Sequence, residues 1–242
     1  MGDMEDVFVE YLKQLQKLII PKQRQINKLF FIFEIALLFF WLCLGWLTIT
    51  QPKQIFSLLF IGDKLGTIAV ILFVTVLLPG IITRLNTMPK VTLPIATLIT
   101  PFRRHLGITM FLTAFVHMSI TSFFPYFALI LIQASPAEVT SFSGKLMVYF
   151  QNFPPTFQLF EQMAIIGWLL LLPVWVISND FSMKKLGKWW KRIQRLTYLS
   201  IWFIFLHVAL RGKNTAPLLF VFGMAEILSW VLFWSRRKAR VQ

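Results

Sequence analysis

The sequence predicts an all-α integral membrane protein, built as a bundle of six transmembrane helices. Hydrophobic residues make up 57% of the 242 residues and charged residues only 14%, whereas soluble domains carry about 25% charged residues. Six apolar stretches approach the roughly 20 residues that a spanning helix needs. Basic residues cluster in alternate connections, as they do when those connections stay on one side of a membrane.

The apolar stretches give the positions of the six predicted spans and of the segments before and between them. We predict spans at 29–50, 65–83, 105–124, 160–177, 193–210 and 216–234. Residues 8–20 have an amphipathic pattern, which predicts an interfacial helix. Residues 91–100 are apolar but too short to span, which indicates a re-entrant or interfacial stretch. The longest connection, 125–157, is predicted to be irregular.

The charge pattern predicts the orientation and the surroundings of the chain. The net charge is +14, and most of the basic residues lie in the segments 13–28, 84–104, 184–195 and 236–240. By the positive-inside rule these segments and both termini are cytoplasmic. We therefore expect three parts: an interfacial segment 1–27, a transmembrane domain 28–235 and a basic cytoplasmic tail 236–242. The basic charge lies beside the membrane, so the expected partner is the lipid bilayer and not a nucleic acid.

The amino terminus and the single cysteine exclude some other classes of protein. The first ten residues carry several acids and lack a small-residue cleavage site after a short apolar core, so we expect no cleavable signal peptide. Cys43 alone cannot form an intrachain disulfide or a cysteine-ligated iron–sulfur site.

Two histidines fall at matched depths on separate spans. His117 lies thirteen residues after Arg104 and His207 twelve residues after Arg195, which is about 20 Å and 18 Å along a helix. Two neutral imidazoles that face each other across a bundle can ligate a haem iron from both sides. A b-type haem needs no cysteine, and imidazole suits iron. The alternative is that each histidine makes an interhelical hydrogen bond.

Other polar residues in or beside the spans are also candidates. His105 follows Arg103 and Arg104 at the cytoplasmic rim, and Gln194 lies at the same level on the fifth span. His105 either faces the headgroups or ligates a second, inner haem. Glu226 is expected about 15 Å deep, where it either relays a proton, contacts a haem propionate or quinone, or forms a structural hydrogen bond.

Dinucleotide and phosphate-loop fingerprints, and catalytic Ser or Cys constellations, are absent from the sequence. Any reductant must therefore come from the membrane or from a separate redox partner protein. The protein would then act as an electron-transfer subunit of an oxidoreductase.

Two sequence runs resemble a known family. The run RRHLGITMFLTAFVH (Arg103–His117) is similar to the third-helix motif of ferric-reductase-like transmembrane domains. The run KKLGKWWKRIQRLTYLSIWFIFLH (Lys184–His207) is similar to the fourth-to-fifth loop and fifth helix of the same family. Within the family, the nearest pattern is that of the haem-binding membrane subunit of the bacterial periplasmic methionine sulfoxide reductase system.

The resemblance implies a six-helix b-type cytochrome of a bacterial inner membrane, or of an equivalent energy-coupling membrane. Such a protein takes electrons from cytoplasmic flavin (FMN) or membrane quinol and passes them to an outer acceptor. His117 and His207 would ligate the outer haem. Gln194 stands where the methionine sulfoxide reductase subunit has a histidine, which leaves the second haem open, and His105 could compensate. Two rivals remain: a non-redox membrane anchor or assembly subunit, and a proton-coupled transporter that uses Glu226.

Overall fold

The computed structural model describes residues 2–85, 89–133, 141, 143–145, 147 and 158–239, and within these residues it is helical without β-strands. The α-helices, in chain order, are α1 (Gly2–Ile19), α2 (Gln23–Thr50), α3 (Leu59–Leu85), α4 (Pro89–Ile99), α5 (Arg103–Met118), α6 (Phe124–Gln133), α7 (Leu159–Val176), α8 (Asp180–Leu186), α9 (Lys188–Gln194), α10 (Leu196–Leu210) and α11 (Ala216–Ala239). Shorter helical turns connect several of them, among them a π-helical turn at Ser119–Phe123.

The number of spans agrees with the prediction from sequence. Six stretches of the described chain are long and apolar enough to cross a membrane: Asp6–Thr50, Pro52–Leu85, Lys90–Gln133, Leu159–Val176, Lys188–Leu210 and Ala216–Arg237. Many large apolar side chains on these stretches point outward, such as Phe31, Leu42 and Val221. Lipid can cover such surface where water could not, so the chain is a multi-pass membrane protein.

The third span runs further than the sequence predicts. Helix α5 passes through the π-helical turn into α6, which continues to Gln133. The first nine residues of the connection that we predict to be irregular are therefore helical. Pro125 is the second residue of α6 and follows the π-helical turn by two residues, so the helical stretch continues past this proline. Most of the remaining connection lies outside the described residues.

The segment 8–20, which we predict to be an interfacial helix, is helical through Ile19 as part of α1. It packs along α4, and the Gln16 side-chain amide donates to the carbonyl of Pro94 at 2.7 Å. Val7, Tyr11 and Leu18 remain exposed on it. Apolar side chains alternate with lysines on α1, which is the pattern of a helix that lies on a membrane surface. This placement stays a prediction.

The core of the bundle lies between α3, α5, α7, α10 and α11. Helix α3 packs on α5 and α11, while α10 packs on α7 and α11. Phe73, Leu77 and Ile201 are almost fully buried there. The Phe111 ring of α5 lies between two tryptophan rings of α7, with centroid distances of 4.8 Å to Trp168 and 4.9 Å to Trp175. These stacked rings fix α5 against α7.

Basic residues collect at one end of the bundle, here called the basic end. It comprises the start of α2, the ends of α3 and α11, the start of α5, and α8 with α9. Arg236 at the end of α11 donates to the carbonyl of Leu85 at 2.8 Å, which ties two of these parts together. Helix α11 continues to Ala239, so the predicted basic tail begins inside a helix and its residues 240–242 lie outside the described chain. The opposite end is called the far end.

Candidate functional site

The structure brings His117 of α5 and His207 of α10 together near the far end. Their ring centres are 6.3 Å apart, and the two ring planes meet at 68°. A bond between a metal and an imidazole nitrogen is about 2 Å long, so two imidazoles on opposite sides of one metal have ring centres about 6 Å apart. The two rings therefore have the spacing of a pair of axial ligands.

Backbone carbonyls set the tautomer of both rings. The Nδ1 atom of His117 lies 2.7 Å from the carbonyl oxygen of Gly62, and Nδ1 of His207 lies 2.7 Å from that of Phe160. A carbonyl oxygen only accepts, so each Nδ1 carries the proton and donates. Each Nε2 then keeps a free lone pair, which is the arrangement by which proteins orient metal-binding histidines.

Gly66 makes room for the His117 ring. A Cβ atom at this position would lie 2.8 Å from Cε1 and 2.9 Å from Nδ1 of that ring. Gly66 is one turn beyond Gly62, so the same face of α3 supplies both the carbonyl partner and the clearance. The π-helical turn begins two residues after His117, and such turns are frequent at functional sites.

The first turn of α7 holds the carbonyl partner of His207. The Glu161 carboxylate accepts from the backbone N–H of Gln158 at 2.9 Å and from the Ser122 hydroxyl at 2.9 Å. This carboxylate thus caps α7 and links it to the π-helical turn of the span that carries His117. Phe160, which accepts from His207, lies inside the fixed turn.

A cavity of about 460 Å³ lies beside the two rings and is here called the histidine cavity. Its walls are mostly small or apolar, and include Gly66, Ala69, Ala114, Ala164, Phe73 and Leu171. The indole Nε1 of Trp168 is buried at this cavity and lacks a hydrogen-bond partner among the described residues. An unpaired buried N–H is costly, so this donor points to a polar group of a ligand.

The mouth of the histidine cavity is charged. Asp63, Arg211 and Lys213 line it, and Asp63 pairs with Lys213 at 2.9 Å and with Arg211 at 3.8 Å. These residues join the start of α3 to the connection after α10, so the supports of the two histidines are also linked to each other.

The ligand set does not suit a bare metal ion. Within the described chain, no group of three or more His, Cys, Asp or Glu residues could hold one. Two imidazoles complete the coordination of an iron whose other four positions are filled by a porphyrin. The arrangement is therefore suited to a prosthetic group that brings most of its own ligands.

A second cavity, of about 500 Å³, lies at the basic end and is here called the arginine cavity. Gln194 lines it together with five basic side chains: Arg84, Arg103, Arg104, Lys191 and Arg195. Three aromatic side chains, Trp190, Tyr198 and Trp230, complete its walls. Arg104 donates to the carbonyl of Ser178 at 2.7 Å and pairs with Asp180 at 2.8 Å.

The structure gives Glu226 a set of hydrogen-bonding partners next to the arginine cavity. Its buried carboxylate pairs with Arg84 and accepts from the indole Nε1 of Trp230 at 2.8 Å. The Arg84 guanidinium also lies 4.7 Å from the centre of the Trp230 ring. A buried carboxylate held by a cation and an indole N–H has the geometry of a structural partner between α3 and α11.

His105 does not meet Gln194. Its Nδ1 lies 3.4 Å from the carboxylate of Glu34 on α2, and its ring stacks on Phe30. The buried Glu34 carboxylate also accepts from Thr109 at 3.2 Å. His105 is not part of the described lining of the arginine cavity, so the second haem stays a prediction with no opposing imidazole.

Sequence reasoning missed several residues of the site. Gly66 and Asp63 on α3, and Arg211 and Lys213 after α10, were not singled out as functional. The spacing of Gly62 and Gly66, four residues apart on one helix face, could have indicated close packing at this point. Asp63, the acid between them, carried no comparable signal.

Fold and site together define a multi-pass helical membrane protein with two facing imidazoles. Residues 65–206 match the family described as ferric reductase like transmembrane component. The matched stretch is more than half of the chain, includes His117 and ends one residue before His207. The chain belongs to this family.

One curated relative is a bacterial protein. The chain is 32% identical over 73 residues to the protein-methionine-sulfoxide reductase heme-binding subunit MsrQ of Rhizobium meliloti (strain 1021). The alignment covers 29% of this chain and 34% of the relative, so it spans about a third of that protein. No solved structure matches the chain. The bacterial relative and the six apolar helices support a location in a bacterial inner membrane.

Proposed function

We propose that this protein is a b-type haem membrane protein that carries electrons across the membrane, with His117 and His207 as axial ligands of one haem. The single observation that carries the proposal is the pair of facing rings, 6.3 Å apart. Each ring is turned by a backbone carbonyl so that Nε2 is free. Family membership and the heme-binding name of the relative support the same conclusion.

The residues around the rings fit a haem. The volume of the histidine cavity lies within the range of about 300–1,000 Å³ that is usual for cofactor sites. Its small and apolar walls suit a flat, apolar macrocycle, and Arg211 and Lys213 at the mouth can pair with carboxylate groups at the edge of that macrocycle. The unpaired Trp168 N–H adds a donor inside the cavity.

Each part of the site has a distinct role in this proposal. A bound haem supplies one-electron transfer at its iron. His117 and His207 hold the iron, while the carbonyls of Gly62 and Phe160 keep both rings in one orientation. The apolar walls exclude water, and this exclusion tunes the electron affinity of the site.

The charge pattern supports the orientation of the chain in the membrane, and the family resemblance supports the direction of electron transfer. The basic end is cytoplasmic in our proposal, because Lys and Arg favour cytoplasmic connections, and the far end with the histidine cavity faces outward. The donor is reduced flavin or a membrane quinol, and the acceptor is a separate redox partner protein, as the subunit name of the relative suggests. In the same proposal, residues 1–27, 28–235 and 236–242 form the interfacial segment, the transmembrane domain and the tail.

Haem content tests the proposal directly. Purified full-length protein, expressed with sufficient haem, is expected to show a b-type band in its reduced-minus-oxidised spectrum, with one haem per chain. His117→Ala and His207→Ala are each expected to abolish the band, because a single imidazole leaves one face of the iron without its ligand. His105→Ala is the matched control, since it removes a histidine of the same span that faces Glu34.

A band of equal size in all three variants would contradict the proposal. If no band forms at all, the protein is better described as an anchor or assembly subunit. The transporter alternative has less support, because the Glu226 carboxylate is occupied by Arg84 and Trp230.

A further inference from the structure

We propose that the indole N–H of Trp168 donates a hydrogen bond to a carboxylate of the prosthetic group in the histidine cavity. The inference rests on the proposed function, because a b-type haem is the source of that carboxylate. It gives a cofactor-binding role to a residue of α7 that lies in neither of the sequence runs that carry the two histidines.

The Trp168 indole N–H is buried and lacks a hydrogen-bond partner among the described residues. The indoles of Trp41, Trp190 and Trp230 show what is usual in this chain, since each donates to an oxygen atom, at 3.0, 3.1 and 2.8 Å respectively. Buried tryptophan N–H groups normally find such a partner, and an unpaired one is costly. An acceptor on the occupant of the histidine cavity, which Trp168 lines, accounts for the exception.

Packing on both sides fixes the position of the Trp168 ring. The ring stacks on Phe111 with centres 4.8 Å apart and on Phe115 with centres 5.5 Å apart, and the planes in the two pairs meet at 21° and 24°. The preceding residue, Gly167, is held to α10, because its carbonyl accepts from the buried Ser200 hydroxyl at 2.8 Å. Turning the ring or the helix toward another acceptor would break these contacts. The N–H group therefore stays at the wall of the histidine cavity.

The charged mouth of the cavity balances one of the two carboxylates that a b-type haem carries. Two cations, Arg211 and Lys213, lie there with one acid, Asp63, which is paired with both of them. One net positive charge is left for the cofactor. A second carboxylate needs another donor, and Trp168 offers one among the apolar walls.

A carboxylate is the group of a b-type haem that can accept this hydrogen bond. The four pyrrole nitrogens are bound to the iron, and the methyl and vinyl substituents are apolar, so the carboxylates are the acceptors that remain. A hydrogen bond from an N–H group to a carboxylate is charge-assisted and about twice as strong as a neutral one. Apolar surroundings strengthen it further, because they lower the local dielectric.

The rate at which haem leaves the protein tests this inference. The full chain in nanodiscs is loaded with haem or with iron etioporphyrin, which has the same iron-binding ring without carboxylates. Transfer of either porphyrin to excess apomyoglobin is followed by absorbance. Trp168→Phe keeps an aromatic ring against Phe111 and removes the N–H group. Trp175→Phe is the matched control, since Trp175 stacks on Phe111 from the same helix, at 4.9 Å, and is not part of the described lining of the cavity.

We expect haem to leave Trp168→Phe about tenfold faster than it leaves the unaltered protein. Iron etioporphyrin should leave both proteins at the same rate, because it has no carboxylate to bind. Trp175→Phe should match the unaltered protein with both porphyrins.

Two results overturn this inference while the proposed function stands. One is haem loss from Trp168→Phe at the rate of the unaltered protein. The other is a faster or complete loss of both porphyrins from Trp168→Phe, which would mean that the ring acts through packing and not through its N–H group. An unaltered protein that takes up no haem is a distinct result, and it overturns the proposed function together with this inference.

Discussion

The histidine cavity and the arginine cavity lie in one bundle and have similar volumes, about 460 and 500 Å³, yet they offer opposite chemistry. The first presents two neutral rings with free lone pairs between small and apolar walls. The second presents cations and aromatic rings without an imidazole in its described lining. Both have walls from α3, α5, α7 and α10, and the arginine cavity is lined by α8, α9 and α11 as well.

This difference shows that the shared helices do not by themselves determine the chemistry that each cavity offers. Lone pairs in apolar surroundings suit a metal that brings its other ligands, whereas cations attract anions. The side chains that line each cavity decide between the two. Changes to those side chains should therefore affect one cavity without the other.

The largest effect is expected at the close contact between α3 and His117. Gly66→Ala places a Cβ 2.8 Å from the ring, so the ring must move away from its ligand position. We expect haem content to fall about tenfold or more, as for other changes that misorient a metal-binding histidine. Haem absorbance per chain measures the effect.

Gly45→Ala provides the control for that experiment. Its Cβ would meet nothing closer than 3.8 Å, so haem content should match that of the unaltered protein. An equal loss of haem in Gly66→Ala and Gly45→Ala would mean that the loss does not come from contact between the new Cβ and the His117 ring.

The next effect concerns the pair that closes the arginine cavity. Glu226→Ala leaves the Arg84 guanidinium without its counter-charge, although only 13% of the Arg84 side chain is exposed. Removing one partner of a buried pair costs about 3 kcal/mol or more. Thermal unfolding in detergent, followed by tryptophan fluorescence, measures this loss. The double variant Arg84→Met/Glu226→Met should recover part of it, and a double variant as unstable as Glu226→Ala would argue against a paired role.

A smaller effect is expected at the link between α7 and the π-helical turn. Ser122→Ala removes one hydrogen bond to Glu161, which still caps the backbone of Gln158. We expect a loss of about 1 kcal/mol in unfolding free energy, because the cap survives. Ser57→Ala is the comparison, because the exposed Ser57 hydroxyl donates to a carbonyl of its own turn. An equal loss of stability in both variants would mean that the hydrogen bond from Ser122 to Glu161 does not specifically stabilise the contact between α7 and the π-helical turn.

The smallest effect is expected at the mouth of the histidine cavity. Lys213→Ala removes a pair whose two side chains are 43% and 39% exposed. Pairs that remain in contact with water contribute less than about 1 kcal/mol. Unfolding at low and high salt should show a small difference that shrinks as salt is added. A large loss of unfolding free energy that does not change with salt would contradict this expectation.

Depth along the membrane could be predicted from the sequence, but the direction in which a side chain faces could not. Counting helical rise from flanking arginines gave His117 and His207 similar heights, and the structure places their rings side by side. The same reasoning gave His105 and Gln194 a common level, yet His105 faces Glu34 while Gln194 lines the arginine cavity. Facing depends on how each helix is rotated by its packing, which the spacing of residues along one helix does not contain.

Backbone detail was the other part that the sequence did not reveal. Pro125 predicted the end of a span, but the helical stretch passes through a π-helical turn and continues beyond the proline to Gln133. Gly62 orients His117 through its carbonyl, a group that every residue has, so this part of its role leaves no trace in residue type. Its missing side chain, which leaves room for Ile120 and Thr121, is the part that the sequence could indicate. The six spans themselves were predictable because apolar length is a property of composition alone.

Gly62 and Phe160 orient the two rings through the main chain, and this has a consequence for how the protein tolerates variation. A side-chain replacement at Phe160 leaves the acceptor oxygen where it was, so the orientation of the His207 ring is robust to most point mutations there. Gly62 differs, because a Cβ atom at that position would lie 2.8 Å from Cγ2 of Thr121 and 2.9 Å from Cγ2 of Ile120 in the π-helical turn. A larger residue at position 62 therefore displaces α3 from that turn, and the carbonyl that orients His117 moves with it. Among homologues that orient both rings in the same way, variation is expected at position 160 and not at position 62.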